Sequence, residues 1–368
     1  MAKLPSNVLQ FAAGDNDLKN LFVEMQDYWN HYRTENMGKK LTFDSSVSLA
    51  EKERLLNDHL IREVAKMAGV DFTTASPEQF MSHPMVAWAA NLIVSQLIDA
   101  VLPDTIIDST ALFAETRVVG YAETAVFDIN SRDLFPVSRA GRMGMREAEV
   151  HKSFQGQVAL NAEQREISCE VSLYRVLAGQ ESLASFTNKM IRSIESEMTS
   201  DVYTSLSTVM DALSATASTG LRVTGYTQAD MVKLAQKVSA YSGGAAAVLL
   251  GTKVALQQVL PDDANGRYTY GDEYMRLGYV REISGVKLFE LPQVANWKNP
   301  FATLLSDERL WLIAPSTDKL VKIVLGGATI SNTTGTFDAA TLTQRTTFYK
   351  AWKVGVTTSN VAGCITLQ

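Results

Sequence analysis

Histidine and cysteine side chains form many of the metal and catalytic centres of proteins, and both are scarce in this sequence. The four histidines are His31, His59, His83 and His151. No two of them are four residues apart, and neither an HExxH nor a CxxC motif occurs, so a zinc site is not expected. Cys169 and Cys364 are the only cysteines. They could pair, but two lone thiols in a long chain favour a reducing compartment.

The sequence patterns that bind phosphate or calcium, or that present a nucleophile, are incomplete. Gly38-Lys39 is not followed by Ser or Thr, so the phosphate-loop pattern fails, and no GxGxxG or GxSxG segment occurs. The acidic turn at 262–266 resembles a calcium loop, but Ala264 or Arg267 stands where a ligand is needed. The sequence therefore predicts no catalytic residue, no cofactor and no metal.

Composition argues against several classes of protein. The 368 residues are 46% hydrophobic and 20% charged, which is ordinary for a globular chain and unlike a disordered one. A net charge of -6 without a basic stripe argues against a dedicated nucleic-acid binder. The most apolar stretch, residues 85–101, contains polar residues and is shorter than a bilayer span of about 20 residues. We interpret it as a packed helix and expect no membrane contact. Secretion is not expected either, because the N-terminus lacks a signal pattern.

The first hundred residues are predicted to be helical. Apolar residues recur at steps of three and four over residues 17–35, and Ser48 begins a capping box for a helix over residues 48–68. A third helix is expected to end before Pro103. The apolar face of the first helix needs something to bury it, so we expect part of it to contact a neighbouring subunit. These candidate contacts are Phe22, Met25, Trp29 and Tyr32.

From residue 104 the pattern changes to strands and one long helix. Residues 117–127 favour a strand, and Ile167 begins an alternation of apolar and polar residues that predicts another. Between them lies an insert, about residues 128–157, without a sustained apolar period. Residues 181–213 keep apolar side chains at steps of three or four with no Gly or Pro, which predicts a helix of about 50 Å.

The C-terminal half predicts a compact α/β region and further strands. Thr227 is expected to cap a helix that Gly243-Gly244 ends. Residues 326–344, rich in Thr, Gly and Asn, are interpreted as an exposed loop. The other expected elements are a helix at 252–259 and strands at 245–250, 286–291, 309–313, 319–325, 346–356 and near residue 365.

The insert carries a second set of candidate contacts. Four arginines against Asp133 give a local excess of three positive charges, with one aromatic residue between positions 128 and 150. A nucleic-acid patch would need more density and interleaved aromatics, so we interpret the arginines as contacts to carboxylates of a neighbouring protein, although a solvated loop fits the sequence equally well. Ordering each residue costs about 1–2 kcal/mol and the insert has too little apolar content for its own core, so another subunit is expected to cover it. These candidate contacts are Arg132, Phe135, Arg139, Arg142, Arg146 and Lys152.

The order of these elements resembles the major capsid protein family of tailed bacteriophages, whose fold encapsulins share. The stretch most similar to the family runs from AAAVLLGTKVALQQVLPDD to GVKLFELPQV, at 245–294. The resemblance implies an α+β fold in which a helical arm precedes a peripheral domain and an axial α/β domain. The implied divisions are the arm at 1–103, the peripheral domain at 104–221 and 332–368, its hairpin loop at about 122–168, its spine helix at about 181–213, and the axial domain at 222–331.

The resemblance further implies a structural role and not an enzymatic one. Copies would form hexamers and pentamers of an icosahedral capsid around double-stranded DNA, assembled in the host cytoplasm. Expected partners are other copies, portal and scaffolding proteins, a decoration protein, and packaged DNA in non-specific contact. The sequence leaves open an encapsulin compartment, another virion component such as a head-completion or tail protein, and a soluble α/β enzyme with a helical N-terminal domain. A monomer with a pocket of strongly shifted ionisable groups would favour the enzyme.

Overall fold

The described part of the chain combines helices with three sheets. A computed structural model describes residues 4–38, 41–71, 76, 79–80, 83–129, 137, 152, 156–171, 175, 181–215, 220–262, 271–295, 299, 302–315, 319–333, 344–356 and 361–367. The mixture of helix and sheet confirms the α+β class.

The N-terminal part of the chain is helical, as predicted. Its helices are α1 (Ser6–Phe11), α2 (Asn16–Met37), α3 (Leu49–Ala68) and α4 (Pro84–Thr110). The Asp15 carboxylate accepts hydrogen bonds from two backbone N–H groups of α2, and the Ser48 hydroxyl accepts one from the N–H of Glu51. These side chains satisfy donors that the first turn of a helix leaves free, which fixes where α2 and α3 begin.

Helix α4 differs from the prediction at its C-terminal end. It continues through Pro103 to Thr110, so the arm boundary expected at residue 103 falls within one continuous helix. Proline cannot donate a hydrogen bond to the carbonyl of Asp99, and its ring crowds that carbonyl. Most of the residues around Pro103 are buried, and this burial offsets the cost. Residues Met85–Asp108 are long and apolar enough to cross a membrane, but 78% of their most apolar window is buried inside the molecule, as in a core helix.

A four-stranded sheet contains three of the predicted strands and corrects a loop. Its order is β1 (Ala114–Val119), β10 (Val321–Thr333), β11 (Gln344–Val356) and β4 (Glu163–Val171). β1 is parallel to β10, and the other neighbours are antiparallel. The exposed loop expected from residue 326 is wrong for its first part, because β10 continues to Thr333 and is held by pairing with β11. Residues 334–343 lie outside the described part of the chain.

The single strand expected over residues 117–127 is also wrong. β1 ends at Val119, the chain turns at Ala122 with a φ of 58°, and β2 (Thr124–Ile129) follows. β2 pairs antiparallel with β3 (Gly156–Asn161) in a separate two-stranded sheet, which we call the ribbon. The turn is not marked by Asn-Gly or Asp-Gly, so the β-forming residues on both sides of it look continuous in the sequence.

The predicted long helix is confirmed as α5 (Leu183–Ala215). Its 33 residues span about 50 Å. It packs against α3, α4 and the strand β11 of the four-stranded sheet. Its buried face joins one large core with the N-terminal helices and both larger sheets.

A six-stranded sheet completes the fold. Its order is β5 (Arg222–Thr224), β12 (Ala362–Thr366), β9 (Arg309–Ile313), β6 (Val248–Gly251), β8 (Val286–Glu290) and β7 (Glu282–Ile283). The helices that accompany it are α6 (Gln228–Tyr241), α7 (Lys253–Gln257) and α8 (Gly271–Leu277). Thr227 caps α6 as predicted. The last strand, β12, lies in this sheet and pairs with β9. The expected assignment of 332–368 to the peripheral domain stays a prediction.

Candidate functional site

The ribbon marks the base of the predicted insert. Ile129 and Gly156 form the last pair of the ribbon, and the insert connects these two residues in sequence. Of the candidate contacts in the insert, Lys152 is described and is exposed. The other five, Arg132, Phe135, Arg139, Arg142 and Arg146, lie outside the described residues, so their assignment stays a prediction.

One face of the ribbon is fixed to the four-stranded sheet. Ala125 and Phe127 are buried against Val324 of β10. The Arg117 guanidinium lies 4.7 Å from the centre of the Phe127 ring, and the Lys322 ammonium lies 5.6 Å from it. Cations over an aromatic face add attraction to the apolar contact. The alternate residues of β2 point away from the sheet and are exposed.

Glycines allow the ribbon and its continuation to lie close to the sheet. A Cβ atom at Gly355 would come within 2.7 Å of Leu160 in β3. A Cβ atom at Gly326 would come within 2.7 Å of the Ala162 Cβ atom and 3.0 Å of the Ala351 Cβ atom. Because side chains there would collide, these two positions set the distance between the ribbon and the sheet.

A β-bulge interrupts β10 beside the ribbon. The pairing with β11 shifts between Gly326 and Ile330, and Gly327 has a φ of 44°, which favours glycine. The Gly327 carbonyl accepts a hydrogen bond of 2.9 Å from the ammonium of Lys350. The Tyr121 side chain of the β1–β2 turn lies directly against Gly327.

A buried carboxylate holds this bulge in place. Asp99 of α4 is 2% exposed and lies 2.6 Å from the Lys350 ammonium. It also accepts hydrogen bonds from the backbone N–H and the hydroxyl of Thr329, at 2.7 and 2.6 Å, and one of 3.3 Å from Asn7 of α1. A buried charge is tolerated when it is paired and fully hydrogen-bonded, and this one connects two helices to the bulge.

A second ion pair supports the ribbon from below. The ammonium of Lys322, itself 1% exposed, lies 2.6 Å from the Glu115 carboxylate. Burial alone would raise the pKa of Glu115, but hydrogen bonds and charges from Lys322 and Arg117 outweigh it and lower that pKa. The carboxylate therefore stays charged at neutral pH.

The ribbon, the turn and the bulge line an open cleft of about 470 Å³. Its walls are mostly backbone and small side chains, with Tyr121 and Tyr349 as the aromatic residues. The cleft lacks the clustered histidines or cysteines of a reaction centre. Among the described residues, no group of three or more His, Cys, Asp or Glu could hold a metal ion.

The N-terminal candidate contacts lie in the interior of the chain itself. Phe22, Met25 and Trp29 are at most 1% exposed, and the Trp29 indole donates a 2.9 Å hydrogen bond to Thr105. Tyr32 stacks on Trp29, and its hydroxyl accepts a hydrogen bond from Arg192 of α5. The expectation that Phe22, Met25 and Trp29 contact another subunit is therefore corrected, because α3 and α4 already bury that face of α2. Tyr32 is half-buried, and its contact with a neighbouring subunit stays a prediction.

The described histidines and cysteines are dispersed. His31 lies 3.0 Å from Glu35, and His59 lies 2.8 Å from Glu24. Cys169 and Cys364 are free, and burial raises the pKa of Cys169 to about 11. A thiol that keeps its proton at neutral pH is a poor nucleophile.

The buried charges are not apparent from the sequence. Asp99 stands in the most apolar stretch, and that was the available signal, because an acid in such surroundings requires a partner. Its partner Lys350 is 251 positions away, in a strand with no distinguishing local pattern. Because Asp99 and Lys350 hold the bulge, it could not be predicted without knowing that these two residues meet.

Comparisons with known proteins give low sequence identities. Neither a protein-family model nor a curated protein sequence matches the chain. A structure described as the asymmetric unit of the bacteriophage PhiM1 mature capsid is 11% identical, with a TM-score of 0.43, covering 69% of this chain and 85% of that one. A structure of Microbacterium phage Oxtober96 is 11% identical, with a TM-score of 0.47, covering 71% and 90%. A virus-like particle from Pyrococcus furiosus is 11% identical, with a TM-score of 0.38, covering 73% and 96%. The chain is thus similar, at low identity, to a phage capsid structure and to a virus-like particle.

Proposed function

We propose that this chain is the major capsid protein of a tailed bacteriophage, a shell subunit without catalytic function. The observation that carries the proposal is the ribbon. It is a two-stranded sheet, it belongs to neither larger sheet, and one of its faces is uncovered in the single chain. Packing on the four-stranded sheet stabilises one face of the ribbon, and the opposite face has no layer against it in the single chain. A neighbouring copy would cover that exposed face.

The anchoring of the ribbon supports this reading. Phe127, the cations that face it and the close approach at Gly355 fix the base of the ribbon. A loop that served only as a connection would need none of these contacts. A rigid base is what allows an insert to reach a defined place on another subunit, because it reduces the ordering cost of the contact.

The finer parts of the proposal follow the resemblance. Copies form hexamers and pentamers, and these close into an icosahedral shell around double-stranded DNA. The net charge of -6 is compatible with a lining that does not grip the genome. The arginines of the insert meet carboxylates of the adjacent copy. Portal, scaffolding and decoration proteins are partners at assembly in the host cytoplasm.

Shortening the ribbon tests the proposal. The residues between Ile129 and Gly156 are replaced by Asn-Gly, which closes a two-residue hairpin without disturbing the pairing of β2 with β3. We expect a folded subunit with unchanged circular dichroism that no longer forms capsomers or shells in negative-stain images. A matched variant replaces the four arginines of the insert with lysine and keeps its length and charge. It should assemble, with altered yield.

The outcomes separate the alternatives. Normal particles from the shortened chain would contradict the role of the ribbon. Particles that contain an enzyme in place of DNA would favour an encapsulin compartment. A full-length chain that remains a monomer at every concentration, with or without co-expressed phage proteins, would favour a soluble enzyme.

A further inference from the structure

The outer half of β10 is a strand edge without a described neighbour. β1 pairs with β10 from Val321 to Gly326 and stops at the bulge. β11 pairs with the other side of β10 as far as Thr333. Within the described ranges, no strand pairs with β10 beyond Gly326 on the side of β1. We call residues 330–333 the overhang.

The overhang carries neither of the residue types that most often protect an exposed strand edge. Natural edges usually carry charged residues or proline, which discourage the addition of another strand. The overhang reads Ile-Ser-Asn-Thr, with neither, and Ile330 is 40% exposed. β1 carries Glu115 and Arg117. The charged residues of β4, at the opposite edge of the sheet, are Glu163, Arg165, Glu166 and Glu170.

The bulge beside the overhang is held by the buried charges around Asp99. The backbone N–H of Thr329 donates to Asp99, and so this residue turns inward just before the overhang begins. Bulges end strand pairing and redirect the strand that follows them. The Asp99–Lys350 pair therefore fixes both the point where β1 stops and the direction in which the overhang leaves.

The geometry points to the overhang as a surface that pairs, antiparallel and across a twofold axis, with the overhang of a second copy of this chain. In a twofold antiparallel contact the residue on the axis faces its own copy, and its neighbours face one another in reciprocal pairs, so like charges close to the axis would repel and an uncharged edge avoids this. The second copy as partner rests on the proposed function, in which many copies meet. Four residues make a short ladder that is weak alone and becomes effective when an assembly repeats it.

Charge substitutions at Asn332 test the pairing. Asn332 is exposed, so Asn332→Lys and Asn332→Glu leave the fold intact. Each is expected to lower the association constant between copies about three- to fivefold in sedimentation velocity, because like charges then face each other. An equimolar mixture of the two variants should restore association, since opposite charges meet. Gln164→Lys on the exposed edge strand β4 is the matched control and should associate as the unsubstituted chain does.

A cysteine variant separates this inference from the shell proposal. Asn332→Cys should form a disulfide-linked dimer under mild oxidation, whereas the unsubstituted chain, with its two buried or half-buried thiols, should not. Linked dimers without shells would contradict the shell and keep the overhang contact. Shells without linked dimers, or unchanged association of both charge variants and of their mixture, would overturn the overhang contact. The latter result would mean that other residues of the same chain cover this edge.

Discussion

The six-stranded and four-stranded sheets bury their polar groups in different ways. The core between α6 and the six-stranded sheet consists of apolar side chains, and the polar residues at its margin, such as Thr252, cap short helices. The four-stranded sheet instead buries Asp99, Lys322 and Lys350. These charges lie where the sheet departs from regular geometry, at the bulge and below the ribbon.

This difference reflects the backbone geometry of each sheet. Apolar packing and local caps are enough for a sheet with regular pairing and short connections. A bulge leaves backbone groups without partners, and these must be satisfied at a defined place. A buried charge can satisfy these backbone groups, but its desolvation cost is high. Only a geometry that gives the charge its full set of hydrogen bonds is therefore stable.

The largest expected effect comes from breaking the buried pair. Asp99→Asn leaves the Lys350 ammonium, 5% exposed, without its counter-charge. Such a change costs about 3–5 kcal/mol of unfolding free energy. Equilibrium urea unfolding of unassembled subunits measures it.

A matched control keeps this result specific. Asp58→Asn makes the same change at an exposed position of α3 and should shift the unfolding free energy by less than about 0.5 kcal/mol. The double variant Asp99→Asn with Lys350→Met removes the isolated charge and should recover part of the loss. Equal stability of Asp99→Asn and Asp58→Asn would show that the two sheets do not differ as described.

Glycine substitutions compare the packing of the two sheets. A Cβ atom at Gly326 would meet the Cβ atoms of Ala162 and Ala351, which no rotamer change can move. A Cβ atom at Gly251 in β6 would meet the Cδ2 atom of Leu310, the end of a flexible side chain. We expect Gly326→Ala to cost about 1–3 kcal/mol and Gly251→Ala to cost less.

Hydrogen exchange extends this comparison. Gly326→Ala should also increase exchange in β2 and β3, because Ala162 follows the ribbon directly. Gly251→Ala should leave the ribbon protected. The same cost at both glycines, with no change in the ribbon, would contradict the close approach inferred at Gly326.

The sequence predicted regular elements well and irregular ones poorly. The step of three and four residues along α5 and the cap at Thr227 are local patterns, and the structure confirms both. The sequence predicted that a helix ends before Pro103 and that a loop begins at residue 326. Both predictions are wrong, because contacts with distant residues override the local preference there.

Candidate contact residues were the hardest part to predict. The periodicity of α2 shows that Phe22, Met25 and Trp29 share a face, but it does not say whether the same chain or another copy buries that face. The structure assigns them to the chain's own core. The contacts in the insert stay predictions, since the arginines lie outside the described residues.

A smaller effect is expected from a cap beside the six-stranded sheet. The buried Thr252 hydroxyl accepts a hydrogen bond from the N–H of Ala255 and donates one of 2.6 Å to Asp307. Thr252→Ala should cost about 1 kcal/mol, measured by urea unfolding. Thr252→Ser keeps both hydrogen bonds and is the matched control. If Thr252→Ala lowered the free energy of unfolding as much as Asp99→Asn does, local caps and long-range charges would not differ in their contribution to stability.

The smallest expected effect is a pH dependence at the start of α6. The hydrogen bond from the Thr227 hydroxyl, followed by the charge of Lys233, lowers the pKa of Asp230 below its ordinary value of 3.8. A carboxyl whose folded pKa is lowered stabilises the fold above its unfolded pKa, and this stabilisation is lost as the pH falls through the folded value. Asp230→Asn removes the contribution, so the variant should be less stable at neutral pH and approach the unsubstituted chain as the pH falls through the lowered pKa of Asp230.

Urea midpoints from about pH 7 to about pH 2.5 measure this convergence. Asp58→Asn, which removes an exposed carboxylate from the N-terminal helices, is the control for the loss of one surface charge. The Asp230 side chain is 41% exposed, which keeps the effect small because solvent screens its charge. A difference between Asp230→Asn and the unsubstituted chain that persists unchanged in acid would mean that the side chain acts through packing. Local polar caps would then contribute less to the stability of the region around the six-stranded sheet than its contrast with the four-stranded sheet implies.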